Sequence, residues 1–201
     1  DRPSTVHNVG ALGLDNVAAL EPVSRKVIEN FICFTLDAPI LLVTYHPMTL
    51  DTKGAASANS LLEALAEQKD TRIVFTGANA DALGQAINDR VKMFCTSRPK
   101  HAVHVASLGV RRYLSLMSLS DAVIGNSSSG LLEAPYVGVP TVNIGARQRG
   151  RLRSESVVDC EDSTDSILAA IAKARSPELR KIANRRETPY GVPGASKKIV
   201  Q

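Results

Sequence analysis

The stretch Ala122-Val-Ile-Gly-Asn-Ser-Ser-Ser-Gly-Leu-Leu-Glu133 joins a short apolar run to a set of small, hydroxyl-bearing residues and then to a second apolar segment. Ala122–Gly125 has the length and composition of a buried strand, and the segment from about Gly130 to Val137 is typical of a short helix. A strand that leads directly into a helix is a unit of α/β proteins. This stretch therefore predicts an α/β fold.

The same alternation continues on both sides of this stretch. The predicted strands are Ile40–Tyr45, Arg72–Thr76, Ala102–Ala106, Ala122–Gly125 and Thr141–Ile144. The predicted helices are Ser24–Phe31, Ala56–Gln68, Ala80–Met93, Arg112–Ser118, Gly130–Val137, Ser163–Lys173 and Pro177–Asn184. Strands separated by helices of this length favour a parallel sheet covered on both faces, which is a Rossmann-like, doubly wound architecture.

The composition is that of a globular protein. The chain has 201 residues, of which 44% are hydrophobic and 22% charged, and this length allows one domain or two small ones. The longest apolar run, Ala38–Tyr45, is interrupted by Pro39 and is shorter than the ~18 residues that a membrane-spanning helix needs. The opening residues Asp1–Pro3 are not followed by the apolar core of a secretory signal. We therefore expect no membrane span and a cytoplasmic location.

The formal net charge of +4 raises the question of a nucleic-acid partner. The chain contains no Trp, four Phe and four Tyr, so it offers few aromatic platforms on which bases could stack. A small anionic ligand and a solvated helix face account for the basic residues without DNA, and we favour this interpretation. No nucleic-acid partner is predicted.

The cysteine and histidine spacings do not indicate a metal or a cofactor. Cys33, Cys95 and Cys160 lie far apart and form no C-x-x-C pair, so neither a disulfide framework nor a zinc site is expected. His101 and His104 are separated by an odd offset, which on a strand directs the two side chains to opposite faces.

The serine-rich bend Gly125–Glu133 is the strongest candidate site. Ligands of open α/β sheets bind at the carboxyl ends of the strands, where helix N-termini attract anions. The spacing resembles the start of a P-loop, but Leu131 and Leu132 replace its Lys and Ser/Thr, so a Walker site is excluded. Ser127 and Ser128 could hold a phosphate group. The alternative is that a serine caps the following helix.

Two further residues at this edge leave alternatives open. Glu133 could serve the helix dipole alone, or it could accept hydrogen bonds from a ribose diol. His46 follows the first strand directly and precedes Pro47, which favours an extended conformation facing the crevice. It could pair with a phosphate leaving group, move a proton, or be satisfied by loop carbonyls.

Other segments are predicted to reach the same edge. Gly77-Ala-Asn79 follows the second strand and His104-Val105 lies in the third. Gly145–Arg151 follows the fifth, and its guanidinium groups suit diphosphate oxygens, although an ordinary basic surface loop would have the same composition.

Several motifs resemble the hydrolysing UDP-N-acetylglucosamine 2-epimerases of sialic-acid precursor synthesis. The resemblance covers nearly the whole chain. It rests on Tyr45-His-Pro-Met-Thr49, Ile124-Gly-Asn-Ser-Ser-Ser-Gly-Leu-Leu-Glu-Ala-Pro135, Asn143-Ile-Gly-Ala-Arg-Gln-Arg-Gly-Arg151, Pro189-Tyr-Gly191 and the linker-like Gly10–Asn16.

This resemblance implies a domain organisation. Members of the family have two Rossmann-like halves in the glycosyltransferase-B arrangement, and the chain corresponds to the carboxy-terminal half, with the amino-terminal half missing. Residues 1–23 would be an interdomain linker, loop-like up to Asn16. Residues 24–187 would be the UDP-binding domain, and residues 188–201 a tail that returns to the missing domain.

The resemblance also implies a reaction. UDP-N-acetylglucosamine and water would yield N-acetylmannosamine and UDP, by elimination of UDP to a glycal followed by hydration, without a cofactor or metal. The general acid and base carboxylates would lie on the missing half, so this half alone would be inactive. Self-association is common among such enzymes. The implied site consists of Ser127 and Ser128 at the diphosphate, Glu133 at the ribose, Arg147 and Asn79 along the nucleotide, the Val105 backbone at the uracil, and His46 assisting departure of UDP.

Three alternatives remain. A non-hydrolysing epimerase would carry a Thr-Asp-Ser-Gly-Gly run and a His-Arg-Arg-Glu-Asn run at the corresponding places, whereas Asn126-Ser-Ser and His46-Pro-Met fit the hydrolysing branch. The others are a UDP-sugar-binding module without chemistry and half of a glycosyltransferase of the same fold.

Overall fold

Six parallel strands form one sheet in the computed structural model, which describes residues 5–47, 57–78 and 82–200. The strands are β1 (Ile40–Thr44), β2 (Arg72–Thr76), β3 (Ala102–Val105), β4 (Ala122–Gly125), β5 (Thr141–Ile144) and β6 (Val157–Cys160). Their order is β3-β2-β1-β4-β5-β6, and every neighbouring pair is parallel. This is the doubly wound order, so the predicted fold class is confirmed.

Helices cover both faces of the sheet. They are α1 (Leu12–Ala18), α2 (Arg25–Ile32), α3 (Ser57–Ala66), α4 (Ala82–Ser97), α5 (Gly109–Leu119), α6 (Ser129–Val137), α7 (Thr164–Ala174), α8 (Pro177–Ala183) and α9 (Ala195–Val200). Within the described ranges, none of these helices is long and apolar enough to cross a bilayer.

The central strand β1 explains why both faces are covered. Successive side chains of a strand point to opposite faces. Leu41 and Val43 pack in one apolar cluster with α3, α4 and α7, whereas Ile40 and Leu42 pack in a second with α2, α5 and α6. Fully burying each of these aliphatic side chains contributes about 1.5–3 kcal/mol. The continuous apolar run of this strand is therefore the signature of its position in the middle of the sheet.

Three elements differ from the sequence-based expectation. The segment up to Asn16, predicted to be loop-like, contains α1, which packs against α6 and buries Leu14 completely. The tail contains α9, and the edge strand β6 was not predicted. The predicted starts of two helices, at Ala56 and Ala80, lie outside the described residues.

The segment before the domain and the segment after it contact each other directly. The Asp15 carboxylate of α1 accepts hydrogen bonds from the backbone N–H groups of Ala195 (3.2 Å) and Ser196 (2.8 Å), at the start of α9. The Ala11 N–H donates to the Tyr190 carbonyl (3.2 Å). The assignment of residues 1–23 as a linker and 188–201 as a tail to another domain stays a prediction.

We expect Asp15→Ala to release α9, because the backbone N–H groups of Gly194, Ala195 and Ser196 lose their acceptor. Hydrogen bonds from the Ser196 side chain and the Gly194 and Ser196 backbone lower the pKa of Asp15 from 3.8 to about 2. A lowered pKa means that the contribution is present above about pH 4 and is lost as the pH falls towards 2. Limited proteolysis of the tail at neutral pH measures the release. The control is Asp70→Ala at an exposed turn, and equal cleavage of both variants would contradict the capping role.

Candidate functional site

The crevice at the carboxyl ends of β1 and β4 brings two of the predicted motifs together. The chain turns away from β1 and from β4 in opposite directions along the sheet, and this switch point is where such sheets bind ligands. The side chain of Asn126, which is 1% exposed, pairs with the backbone of His46. Its Oδ1 accepts from the His46 N–H (2.8 Å) and its Nδ2 donates to the His46 carbonyl (2.8 Å). This pair holds the residues after β1 beside the serine-rich bend.

A glycine allows the bend to approach β1 this closely. Gly125 has a φ of +136°, and a Cβ built on it would lie 2.0 Å from the Thr44 carbonyl oxygen. No other residue type fits such an approach, because any side chain would overlap the backbone of β1. The glycine thus sets the distance between the two strand ends.

The serines at the start of α6 do not serve as an ordinary helix cap. Ser128 is the N-cap residue, but it has a helical backbone conformation, and its side chain makes no cap hydrogen bond. The Ser127 hydroxyl accepts only a long bond (3.4 Å) from the Ser129 N–H. The capping alternative is therefore not supported for Ser128. Half-buried hydroxyls and the first N–H groups of a nine-residue helix surround the position where an anion would be stabilised.

The loop after β5 fixes an arginine beside this bend. The Arg147 guanidinium donates to the Asn126 carbonyl (3.1 Å), and the Gln148 amide donates to the same carbonyl (2.7 Å). Arg147 is exposed and keeps further N–H groups for a ligand. Gln148 was not predicted. It is 2% exposed and anchors the loop, a role that its position in a basic loop did not indicate.

Arg153 supports this loop from outside. It donates to the Gln148 carbonyl (3.0 Å) and pairs with Asp159 of β6 (3.0 Å). The charge of Arg153 is therefore paired with Asp159 within the protein, whereas exposed Arg147 can bind a ligand. The arginines at alternate positions of this loop thus have two different roles.

Glu133 lies in the second turn of α6 and not in the first turn, where the helix dipole would stabilise a carboxylate, and it is half-buried. A Cβ on Gly13 of α1 would lie 2.5 Å from its Oε1, so the linker helix packs directly against the carboxylate. Its Oε2 is buried and makes no hydrogen bond with any described residue. Burial raises the pKa of Glu133, while hydrogen bonds from its own backbone and from the Ser129 hydroxyl oppose the shift. An acceptor in this state suits a hydroxyl donor from a ligand.

We expect Glu133→Gln to gain stability relative to the unaltered chain as the pH rises. Since the pKa of Glu133 is raised above 4.5 in the folded chain, the contribution of Glu133 to native stability is highest below that value and declines as the pH rises through the raised pKa. Glutamine does not titrate, so the difference in free energy of unfolding should grow in favour of the variant. Urea unfolding between about pH 4 and pH 8 measures this difference. Glu67→Gln is the exposed control, and a difference that is constant with pH would contradict the expectation.

The remaining predicted residues lie farther along the same edge or outside the described residues. Val105 ends β3, two strands from β1, and its carbonyl accepts from the Gly77 N–H (3.0 Å). Asn79 lies outside the described residues. The structure thus brings His46 and the serine-rich bend together at the carboxyl ends of the strands, with Arg147 and Glu133 beside them. Val105 lies at the carboxyl end of β3, farther along the same sheet.

A surface cavity lies elsewhere in the described part of the chain, away from this site. It measures about 1060 Å³ and is bordered by Cys33, Glu29 and Asp37. Both carboxylates already have partners. Glu29 accepts a hydrogen bond from the Leu36 N–H (2.7 Å), and Asp37 forms an ion pair with Arg72 (2.7 Å). Its lining comes from the end of α2 and the start of β2, at the amino ends of the strands, where sheets of this type do not bind their ligands.

Residues 1–201 match the family model described as UDP-N-acetylglucosamine 2-epimerase. The chain is 36% identical over 176 residues to a hydrolysing GDP/UDP-N,N'-diacetylbacillosamine 2-epimerase of Campylobacter jejuni, covering 87% of this chain and 45% of that protein. It is 32% identical over 192 residues to polysialic acid biosynthesis protein P7 of Escherichia coli, covering 94% and 48%.

The fold recurs in solved structures. The crystal structure of UDP-GlcNAc 2-epimerase from Neisseria meningitidis bound to UDP-GlcNAc superposes with a TM-score of 0.73 at 22% identity, covering 96% of this chain and 53% of that one. The chain spans about half the length of the curated relatives it matches. The predicted fold, a Rossmann-like half of a glycosyltransferase-B-type architecture, is confirmed by this likeness.

Proposed function

The chain belongs to the UDP-N-acetylglucosamine 2-epimerase family, and from this premise we propose that it is the UDP-binding carboxy-terminal half of a hydrolysing member. Its relatives include proteins named as hydrolysing 2-epimerases. The parent enzyme would convert UDP-N-acetylglucosamine and water to N-acetylmannosamine and UDP. The observation that carries the proposal is the pairing of Asn126 with the His46 backbone, which sets a histidine beside the helix start that would bind the diphosphate.

The diphosphate would lie on the serine-rich bend. The first N–H groups of α6 and the hydroxyls of Ser127 and Ser128 would donate to its oxygens, and Arg147 would add a charged donor. His46, as imidazolium, would stabilise the charge that develops on UDP as the bond from the anomeric carbon to oxygen breaks.

The uridine would follow the edge of the sheet away from the bend. Glu133 would accept hydrogen bonds from the ribose hydroxyls, for which its Oε2 is available. Asn79 and the Val105 backbone would complete the nucleotide site beyond it. A nucleotide that runs from the bend towards Val105 agrees with the position of β3 as an edge strand of the sheet.

Chemistry at C2 of the sugar would need the other half of the protein. Elimination removes the C2 proton together with UDP, and hydration adds a proton at C2 from the opposite face and the hydroxyl of a water molecule at C1. The carboxylates that move these protons would lie on the amino-terminal half. We therefore expect the 201-residue chain to bind UDP without turning over substrate. The cytoplasmic location and the self-association inferred from the sequence stay predictions.

A product assay on the full-length parent tests the proposal. Incubation with UDP-N-acetylglucosamine should release free N-acetylmannosamine and UDP, and in D₂O the product should carry deuterium at C2. Product that remains attached to UDP would indicate the non-hydrolysing reaction instead. A requirement for an acceptor would indicate glycosyl transfer, and absence of any product would favour a binding module without chemistry.

The sugar of the substrate has a second candidate. The Campylobacter jejuni relative is named for a sugar with two acetyl groups, N,N'-diacetylbacillosamine. The groups assigned above would contact only the nucleotide, so they suit either UDP sugar. Comparing kcat/KM of the parent for the two UDP sugars decides between them.

A further inference from the structure

We propose that Gln148 is a positioning residue, which keeps the Asn126 carbonyl hydrogen-bonded when Arg147 turns from that carbonyl to the diphosphate. The proposal rests on the proposed function, because it assigns a role within the same nucleotide site. Gln148 is 2% exposed and is closed off from a ligand, so it acts through Asn126 and Arg147 rather than by contact with the nucleotide.

One buried carbonyl oxygen is shared by two side-chain donors. Asn126 is 1% exposed, and its carbonyl accepts from the Gln148 Nε2 (2.7 Å) and from the Arg147 guanidinium (3.1 Å). This contact fixes the orientation of the Gln148 amide, because a carbonyl oxygen only accepts and the side-chain oxygen could not replace the nitrogen there. A carbonyl oxygen has two lone pairs, so the two donors fill its capacity.

The two donors differ in burial and in charge. Gln148 is buried and neutral, whereas Arg147 is exposed and positively charged. A neutral amide can stay buried on a carbonyl, but a charged group in the same place would need a counter-ion. An anion attracts a guanidinium more strongly than a neutral carbonyl does. A diphosphate on the serine-rich bend would therefore draw Arg147 away and leave Gln148 where it is.

The movement of Arg147 costs little only if the carbonyl keeps its second donor. A buried acceptor that loses every partner carries the full penalty of its desolvation. With Gln148 present, the Asn126 carbonyl keeps the shorter of its two hydrogen bonds. The side chain of Asn126 also holds the His46 backbone, so Gln148 keeps His46 in position during the same movement.

The backbone of Gln148 is held independently of its side chain. Its carbonyl accepts from the Arg151 N–H (3.2 Å) and from the Arg153 guanidinium (3.0 Å). The Gly145 N–H, at the start of the loop, donates to the Cys160 carbonyl of β6 (2.9 Å). A substitution that removes only the amide therefore leaves the loop in place. Methionine is such a substitution, because it is unbranched like glutamine and has no N–H donor.

Calorimetry with UDP and with uridine tests the role in the 201-residue chain. Gln148→Met should weaken UDP about tenfold, because Arg147 then either stays on the carbonyl or leaves it unpaired. Affinity for uridine, which has no phosphate, should stay within about twofold. Gln68→Met is the matched control, because it removes a side-chain hydrogen bond from Arg175 (3.1 Å) elsewhere, and it should change neither affinity. Equal weakening of both ligands by Gln148→Met, or no weakening of UDP, would overturn the proposal.

NMR without a ligand separates this proposal from the function on which it rests. If the unaltered chain binds no UDP, the proposed function fails, but the sharing of the carbonyl is still tested. In Gln148→Met the order parameter of the Arg147 Nε–Hε group should rise, because Arg147 becomes the last side-chain donor on a buried carbonyl. If Gln148 only anchored the loop, the same order parameter would fall. An unchanged or lower value would refute the proposal.

Urea unfolding of a double variant gives a second measurement that needs no ligand. Gln148→Met and Arg147→Ala each leave one side-chain donor on the Asn126 carbonyl, whereas the double variant leaves none. The double variant should therefore lose more stability than the two single variants together. Additive losses would contradict the sharing of the carbonyl.

Discussion

Gly125→Ala is expected to destabilise the chain by about 4 kcal/mol or more, a large fraction of the 5–15 kcal/mol typical of a whole domain. The new Cβ would lie 2.0 Å from the Thr44 carbonyl oxygen and 2.7 Å from its carbon. Both atoms belong to the backbone of β1, which is paired on both sides in the centre of the sheet. Neither strand can move aside without breaking its ladder, so the overlap cannot be relieved locally.

Gly109→Ala is the matched control for this substitution. Gly109 also has a positive φ, +66°, but a Cβ there would meet no atom within 4 Å. Gly109→Ala should cost only the free energy of holding a residue with a Cβ at a positive φ, about 1–2 kcal/mol. Urea unfolding followed by circular dichroism measures both variants. Similar losses at the two positions would mean that the backbone conformation, rather than the approach of β4 to β1, is what requires glycine.

The interior of the sheet could be predicted because its strands are buried on both faces. Such strands appear as short, continuous apolar runs, and the predicted bounds of β2, β4 and β5 match the structure. The edge strand β6 has only one neighbour and carries Asp159, so it lacks this signature. α1 and α9 depend on contacts with distant parts of the chain, including Asp15 at the start of α9, which local patterns do not contain.

The motifs of the site could be predicted from the sequence, but the residues that hold these motifs in place could not. Ser127 and His46 lie at the ends of strands, and strand ends of a parallel sheet meet at one edge, so their proximity followed from the topology. Tyr113 and Gln148 hold that edge together through contacts between separate elements. Tyr113 stands in no motif, and Gln148 lies within the Asn143–Arg151 motif without a role that its residue type indicates, because the residue types that support a site vary with the packing around it.

Ser127→Ala combined with Ser128→Ala is expected to weaken UDP about a hundredfold while leaving the chain folded. Hydrogen bonds to charged groups contribute about 1.5–3 kcal/mol each, so the loss of two gives roughly 3 kcal/mol. The backbone N–H groups at the start of α6 remain, which explains why some binding should persist. Calorimetry with UDP measures the loss, and uridine, which has no phosphate, should show no difference.

Stability separates this expectation from a capping role. Ser128 makes no cap hydrogen bond, and Ser127 accepts only the long bond from the Ser129 N–H (3.4 Å), so the double variant should unfold within about 0.5 kcal/mol of the unaltered chain. Ser176→Ala is the opposite control, because Ser176 caps α8 by accepting from the Leu179 N–H (3.2 Å). It should cost about 1 kcal/mol of stability and leave UDP affinity unchanged. A double variant that loses stability but keeps its affinity for UDP would assign the serines to the helix rather than to the nucleotide, and the diphosphate would then need another binding surface.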